Sequence, residues 1–323
     1  MNTKRDQDGF CPNSSAILRE VLAGLSKSQK SLPAKLLYDK RGSELFEKIC
    51  LLKEYYPSRA EIEILKKHAR EIARMVGPEA FIIEPGSGAG DKIRLLLPHL
   101  EDPKGYIPIE ISKEILARMT KEISVEFPKL NLRPICVDFN QDLEMPNSLA
   151  SEKGKKVVFF PGSTIGNFTP RDAISFLKKI AKLIGKDGGL VIGVDLKKDP
   201  IILKNAYDDP YGVTADFNMN LLDRLNREAS AGFDLNSFEH HAVYDEEQGR
   251  VEMHLMSKST QLVKVSETVF RFKEGETIHT ENSYKYTIDE FISLCAKAKM
   301  SIRKFWKDSQ NQFCVYYFEK KYK

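Results

Sequence analysis

Residues 82–92 read IIEPGSGAGDK, and the fold turns on how that stretch is read. An apolar, β-rich run, FIIEP, closes around Glu84. Gly86, Gly88 and Gly90 follow at alternate positions, and a helical pattern, KIRLLLPHL, starts directly after them. Glycines in such a turn let the backbone bend sharply and let a ligand approach it closely. A dinucleotide fingerprint would place the third glycine one residue later, with a pyrophosphate over the helix N-terminus. The shorter G-x-G-x-G spacing behind an acidic residue suits S-adenosylmethionine (SAM), which carries no phosphate. By itself the motif also admits a purely structural βα turn.

The flanking sequence repeats the alternation. YIPIE precedes KEILARMTKEISVEF; LRPICVDF follows; KVVFF precedes RDAISFLKKIAKLI; and GLVIGVDL closes the series. Short β-rich runs alternating with helices predict an α/β fold with a mostly parallel sheet, whose ligands sit at the carboxyl ends of the strands. Before this series, SSAILREVLAGLSK and GSELFEKICLL carry helical periods, and PSRAEIEILKKHAREIARMV places Glu61 three residues after Ser58, a capping-box pattern. After Asp195 the rhythm changes. GVTADFNMNLLDRLNREA predicts a helix, and EHHAVYD, RVEMHLMS, STQLVKV and SETVFRF predict hairpin strands. TIDEFISLCAKAKM, SIRKFWKD and FCVYYFEKK then predict a helix and a final hairpin that rejoin the main sheet. The expected organisation is a domain of residues 61–195 plus 287–323, and a second, split domain of residues 1–60 plus 196–286.

Composition narrows the function. A net charge of +4 over 323 residues gives no broad field for nucleic acid. The five cysteines are scattered and never form a C-x-x-C pair, so they predict reduced thiols and no zinc site. The six histidines suggest no metal cluster; adjacent His240 and His241 fall in a strand-like run and point to opposite faces. No apolar run is long enough to span a bilayer, and MNTKRDQDGFCPNSS lacks the apolar segment of a secretory signal. A cytoplasmic protein, expected to act as a monomer, follows.

Three further constellations bear on chemistry. Glu110 ends the second strand, where a carboxylate can accept from ribose hydroxyls; Asp138 and Phe139 end the third, suited to an adenine amino group and its ring face. Strand-end acids can equally be caps or solvated turns, but three in successive strand ends favour SAM. The fourth strand ends in PGSTIGN, where no Lys follows the last glycine as a phosphate loop requires. The Gly162 carbonyl and the Asn167 amide are neutral groups suited to a zwitterion, although a structural turn stays open on spacing alone. In IHTENSYKY, Glu281 and Ser283 are two apart and share one face of a strand, able to hold a ring bearing N–H groups; the bland alternative is a surface strand with a solvated Glu.

Taken together, LPAKLLYDKRGSELFEKICLLKEYYPSRAE, EPGSGAGDK, PGSTIGN, AYDDPYGVTADFN and IHTENSYKY make the chain resemble, over nearly its whole length, the SAM-dependent histidine Nα-methyltransferases of ergothioneine biosynthesis. That resemblance implies a Rossmann-like class I SAM-dependent methyltransferase sheet with a second, α+β substrate-binding domain, trimethylation of L-histidine to hercynine, and no metal. It implies a SAM site of Glu84, Gly86, Ser87, Gly88, Lys92, Glu110, Asp138 and Phe139. It implies Tyr38 and Gly162 beside the substrate amine, and Asn167 and Tyr207 on its carboxylate. Glu281 and Ser283 would face the imidazole, with Phe46, Tyr55 and Met253 as further substrate contacts. Glu110 stands where Asp is common, and Pro85 where a small or aliphatic residue is usual. A rival within enzymes would methylate another aromatic amino acid such as a tryptophan derivative; a rival outside them would bind SAM without catalysis.

Overall fold

A computed structural model describes residues 14–139 and 154–321. Its contacts divide the chain into two compact units, one containing Pro57–Lys197 and Tyr286–Lys323, the other Pro12–Tyr56 and Lys198–Lys285.

The first unit is built on a seven-stranded sheet. Its parallel strands are β1 (Ala80–Pro85), β2 (Gly105–Glu110), β3 (Ile135–Cys136), β4 (Lys155–Phe160) and β5 (Gly189–Asp195). β1, β2 and β5 are buried at every position, which is why their sequences are continuous apolar runs and not alternating ones. The terminal hairpin, here β11 (Met300–Lys307) and β12 (Phe313–Lys320), joins antiparallel through β12 and gives the order β11-β12-β5-β4-β1-β2-β3. LRPICVDF forms only a two-residue strand, β3, because Pro134 and the half-buried residues around it offer little to an edge ladder.

The helices of this unit are α3 (Tyr56–Val76), α4 (Asp91–Leu96), α5 (Lys113–Glu126), α6 (Pro170–Ile184) and α9 (Ile288–Lys297). The longest crossover, α6, shows how the sequence sets its start and its buried face. Thr169 caps it by accepting from Asp172 N, Pro170 occupies its first turn, and Ala173, Phe176, Leu177, Ile180, Ala181 and Ile184 form the buried stripe. The capping box expected from Ser58 and Glu61 is not what Glu61 does: α3 already begins at Tyr56, and the Glu61 carboxylate reaches across the fold instead. A complete capping box occurs at α9, between Thr287 and Glu290.

The second unit holds α1 (Ser14–Leu25), α2 (Lys40–Leu51), α7 (Pro200–Asn205) and α8 (Val213–Glu228). Its strands are β6 (Phe238–Asp245), β7 (Arg250–Ser257) and β10 (Thr277–Tyr284), ordered β10-β7-β6, plus the separate hairpin β8 (Gln261–Val265) and β9 (Thr268–Phe272). Both neighbouring pairs in the three-stranded sheet are antiparallel. The chain just after α1 docks beside β10: Leu32 N donates to His279 O at 2.8 Å and His279 N to Lys30 O at 2.9 Å. A core of Leu36, Leu37, Phe217, Leu221, Leu255 and Ile278, among others, ties the N-terminal helices to α8 and the sheet.

Candidate active site

At the carboxyl end of β1 the three glycines adopt positive φ, 70° at Gly86, 53° at Gly88 and 78° at Gly90, a conformation that side chains with a Cβ resist. This turn is held from the next strand. Glu110 Oε2 accepts from Gly88 N at 3.0 Å, while its Oε1 accepts from Ile111 N and Ser112 N. Burial pushes the Glu110 carboxyl up, against the lowering effect of those three backbone donors. Glu110 thus takes three backbone N–H donors of the roughly four that a carboxylate can accept, and organises the glycine turn with one of them.

Glu84 is 1% exposed, and Tyr106 donates its hydroxyl to it. Burial raises the Glu84 carboxyl to about 8, with the Tyr106 bond and Lys92 pulling the other way. Among the described residues, Ser87 Oγ is buried without a partner, and nothing stands within 4 Å of where a Cβ on Gly88 would lie. An orphaned hydroxyl beside open space in front of a glycine fits a small polar ligand seated on this turn, as SAM requires. Phe139 lies against the same turn, its ring edge 3.2 Å from a Cβ built on Gly86. Its centroid is 6.0 Å from Phe160 and 6.1 Å from Phe176. Asp138 is half-buried directly before it, two residues beyond the end of β3.

After β4 the chain turns through Gly162 (φ 86°) and Ser163 (φ 58°) into a short 3-10 turn, Thr164–Asn167. Ser163 Oγ accepts from Asp195 N at 2.9 Å, which fastens this turn to the end of β5. Glu61 anchors the turn from α3. Its carboxylate, in a residue 1% exposed, accepts from Gly162 N at 2.8 Å and pairs with Lys92 Nζ at 2.7 Å. A Cβ on Gly193 would stand 1.9 Å from Glu61 Oε1, so the glycine in β5 is what admits the carboxylate. Glu61 is therefore a residue of this site that sequence reading misplaced; its partner Gly162 lies 101 residues away, beyond any local pattern. Asn167 ends the 3-10 turn, half-buried.

The second unit gathers the other candidates. Tyr38, Phe46, Tyr55 and Tyr207 form a continuous edge-to-face series, with centroids 5.6, 6.0 and 6.0 Å apart in that order. Phe217 of α8 joins the series 5.5 Å from Tyr38. Asp39 caps α2 by accepting from Gly42 N, Asn220 donates to Asp39, and Arg224 donates to Leu36 O. These bonds fix the segment that carries Tyr38. Burial raises the Tyr55 phenol well above its ordinary value, with Tyr207, Cys50, Tyr38 and Glu281 adding to the shift.

Glu281 is 7% exposed, so the solvated-surface reading of this strand is excluded. The pairing of β10 with β7 shifts register between His279 and Glu281, and Met253 faces Glu281 across the ladder. Thr280 Oγ1 donates to Met253 O at 3.0 Å. Ser283 shares the Glu281 face and lies 2.7 Å from the Tyr207 hydroxyl. Lys285, which sequence reading passed over, is 1% exposed and donates to Tyr207 Oη at 2.9 Å and to Ser283 Oγ at 2.8 Å. His240, adjacent in sequence to His241, is engaged structurally through Asn218 and Tyr207 O. Among the described residues no group of His, Cys, Asp or Glu side chains is arranged to hold a metal, no helix is long and apolar enough to cross a membrane, and four cysteines are free thiols.

A sheet of this order with one antiparallel strand, a glycine turn after β1 and acids closing β1 and β2 defines a class I SAM-dependent methyltransferase. The chain matches the family described as "Histidine-specific methyltransferase, SAM-dependent" over residues 17–320, and it belongs to that family. It is 38% identical to the histidine N-alpha-methyltransferase of Mycolicibacterium smegmatis over 304 residues, 92% of this chain and 93% of that protein. The protein of the same name from Mycobacterium tuberculosis is 37% identical over the same shares. Ergothioneine biosynthesis protein 1 of Schizosaccharomyces pombe is 30% identical over 90% of this chain and 39% of that longer protein.

Proposed function

We propose that this protein transfers methyl groups from SAM to the α-amine of L-histidine, three in succession, to give hercynine. The observation that carries the substrate is the buried Glu281, set on one strand face with Ser283, in the unit that also assembles Tyr38, Phe46, Tyr55 and Tyr207. A buried carboxylate beside a hydroxyl accepts from an imidazole bearing N–H groups. An apolar side chain set against the same buried carboxylate brings no donor to it and is disfavoured relative to imidazole, as are indole positions that offer none.

When bound, SAM supplies an electrophilic methyl on a sulfonium centre. The protein's part is positioning and exclusion of water. The glycine turn, Ser87, Glu84, Glu110, Lys92, Asp138 and Phe139 hold the donor. The Gly162 carbonyl, in a turn anchored by Glu61, and Tyr38 orient the amine lone pair. Asn167 and Tyr207 grip the carboxylate, and Phe46, Tyr55 and Met253 wall the ring. The amine must lose a proton before each transfer; the Tyr38 hydroxyl or a water path takes it, and no dedicated His or Cys base is needed. Tyr55, held protonated by burial, serves as a donor and wall and not as a base.

We place the enzyme in the cytoplasm as a monomer without nucleic-acid or membrane partners; the free thiols among the described residues support the compartment, and the balanced charge supports the lack of a nucleic-acid partner. Incubation with SAM and each amino acid in turn tests the substrate. Transfer to L-histidine and little to the others is expected, and preferred transfer to tryptophan or tyrosine overturns the assignment.

A further inference from the structure

Tyr207 stands in a stretch of chain that needs anchors from elsewhere. It lies two residues beyond α7, a helix of six residues, and helices that short do not hold their shape alone. Downstream, Asp209 fastens the chain to the start of α8 by accepting from Tyr211 N, Val213 N and Thr214 N. The backbone carbonyl of Tyr207 is held from β6, where His240 Nε2 lies 2.8 Å away. A carbonyl only accepts, so Nε2 carries the ring proton. The other side of the ring agrees. Asn218 of α8, fully buried, sets its amide nitrogen 3.0 Å from His240 Nδ1 and 2.9 Å from His254 O. Because His254 O only accepts, the amide presents its nitrogen here, and Nδ1 receives one of its hydrogens. Burial lowers the His240 imidazole below its ordinary value, which favours the same neutral form. Both ring nitrogens are engaged, so the ring is an anchor and not a base.

We infer that His240 is a positioning residue for the reaction: by relaying the buried Asn218 to the Tyr207 carbonyl, it sets the phenol that meets the substrate carboxylate. The inference rests on the histidine reading of the site, in which Tyr207 grips that carboxylate. Tyr207 is held at both ends by one three-stranded sheet. Its carbonyl is bound from β6, and its hydroxyl lies 2.7 Å from Ser283 of β10. Its ring packs edge-to-face on Tyr55 with centroids 6.0 Å apart. Freeing the carbonyl end lets the chain leaving α7 shift, and a displacement of about 1 Å is enough to spoil the contact with the carboxylate. His241, the next residue, is exposed and points to the opposite face of β6, so the adjacent pair divides into one anchor and one solvated ring.

The test uses two substitutions that divide the ring's tasks, with L-histidine and SAM binding read by calorimetry on the intact protein. His240→Gln carries an amide nitrogen about as far as Nε2 and keeps a donor for Tyr207 O; His240→Asn reaches Asn218 but stops short of that carbonyl. L-Histidine is expected to bind about 5- to 30-fold more weakly to His240→Asn and within about threefold of wild type to His240→Gln, with SAM changed by less than about threefold in both. In a Tyr207→Phe background, His240→Asn is expected to add less than about threefold, because the histidine acts through that hydroxyl. Equal weakening of L-histidine and SAM, wild-type affinity in His240→Asn, or multiplicative effects of the two substitutions overturns the inference. Should the variants fail to fold, nitrogen NMR of the ring-labelled wild-type protein decides. A neutral His240 with its proton on Nε2, unchanged when L-histidine binds, supports the anchor, and a proton on Nδ1 or a ring that titrates as in water contradicts it. A wild-type protein that neither binds nor methylates L-histidine would sink the functional reading itself, while the ring's proton, read without substrate, would still report on the anchor.

Discussion

Replacing Glu61 by Ala removes one carboxylate from two buried tasks, and the size of the effect can be worked out from its surroundings. The carboxylate accepts from Gly162 N at 2.8 Å and pairs with Lys92 at 2.7 Å. Breaking a fully buried pair costs about 3–5 kcal/mol. Here the Lys92 side chain is 19% exposed and Gly162 is half-buried, so water recovers part of that loss and about 2–3 kcal/mol is expected. For a unit of this size that lowers the melting temperature by roughly 5–10 °C. SAM affinity should fall with it, because Lys92 and the Gly162 turn lose their common anchor. Glu61→Gln keeps an acceptor for Gly162 N and should lose about half as much. Gly193→Ala should mimic Glu61→Ala, since its Cβ would stand 1.9 Å from Glu61 Oε1, and the two effects should be strongly non-additive. Thermal melts with and without SAM, and calorimetric titration with SAM, read these changes. A Glu61→Ala protein that melts within about 1 °C of wild type and binds SAM equally well would refute the reasoning.

Glu84 predicts a pH dependence of known sign. Its carboxyl is raised in the fold to about 8, so the fold favours the protonated form, and stability falls as pH rises from the ordinary carboxylate range through 8. Glu84→Gln should flatten that slope, which is at most about 1.4 kcal/mol per pH unit, and identical denaturation profiles across pH 5–8 would contradict it. Gly86→Ala puts a Cβ at φ 70° and 3.2 Å from Phe139, so SAM affinity should drop about tenfold or more, as measured by calorimetry; unchanged affinity would remove this turn from the SAM site. Glu281→Ala should weaken L-histidine binding by about 2–4 kcal/mol and leave SAM binding nearly intact, whereas equal loss of both ligands would mark Glu281 as structural.

Much of this architecture was legible because its signals are local. The buried strands AFIIEP and GLVIGVD, the glycine turn and the capped, striped α6 each carry their instruction within a few residues. What the sequence hid depends on distant partners. The S-x-x-E pattern at Ser58 and Glu61 read as a helix cap, because nothing local announces a backbone N–H 101 residues downstream. Glu281 read as ambiguous because the irregularity after His279 breaks the alternation that marks a buried face, leaving Thr280 and Glu281 both buried. Lys285 passed unnoticed since a lysine just past the end of a strand is ordinarily solvated, and only the meeting of Tyr207 with Ser283, 76 residues apart, gives its charge a buried task. The family resemblance offered Tyr38, Phe46, Tyr55 and Tyr207 singly, as substrate contacts; their packing into one series, with Phe217 at its end, depends on partners far apart in sequence, and Phe217 itself looks like any core position of an amphipathic helix.

The central claim is that successive methyl groups go to the α-nitrogen of L-histidine. The most direct measurement is mass spectrometry and NMR of the product formed from L-histidine and SAM carrying an isotopically labelled methyl. The account predicts a product with three labelled methyl groups, all on the α-nitrogen, and an unmodified imidazole. Label on a ring nitrogen, or no transfer to histidine while another amino acid is methylated, would contradict it.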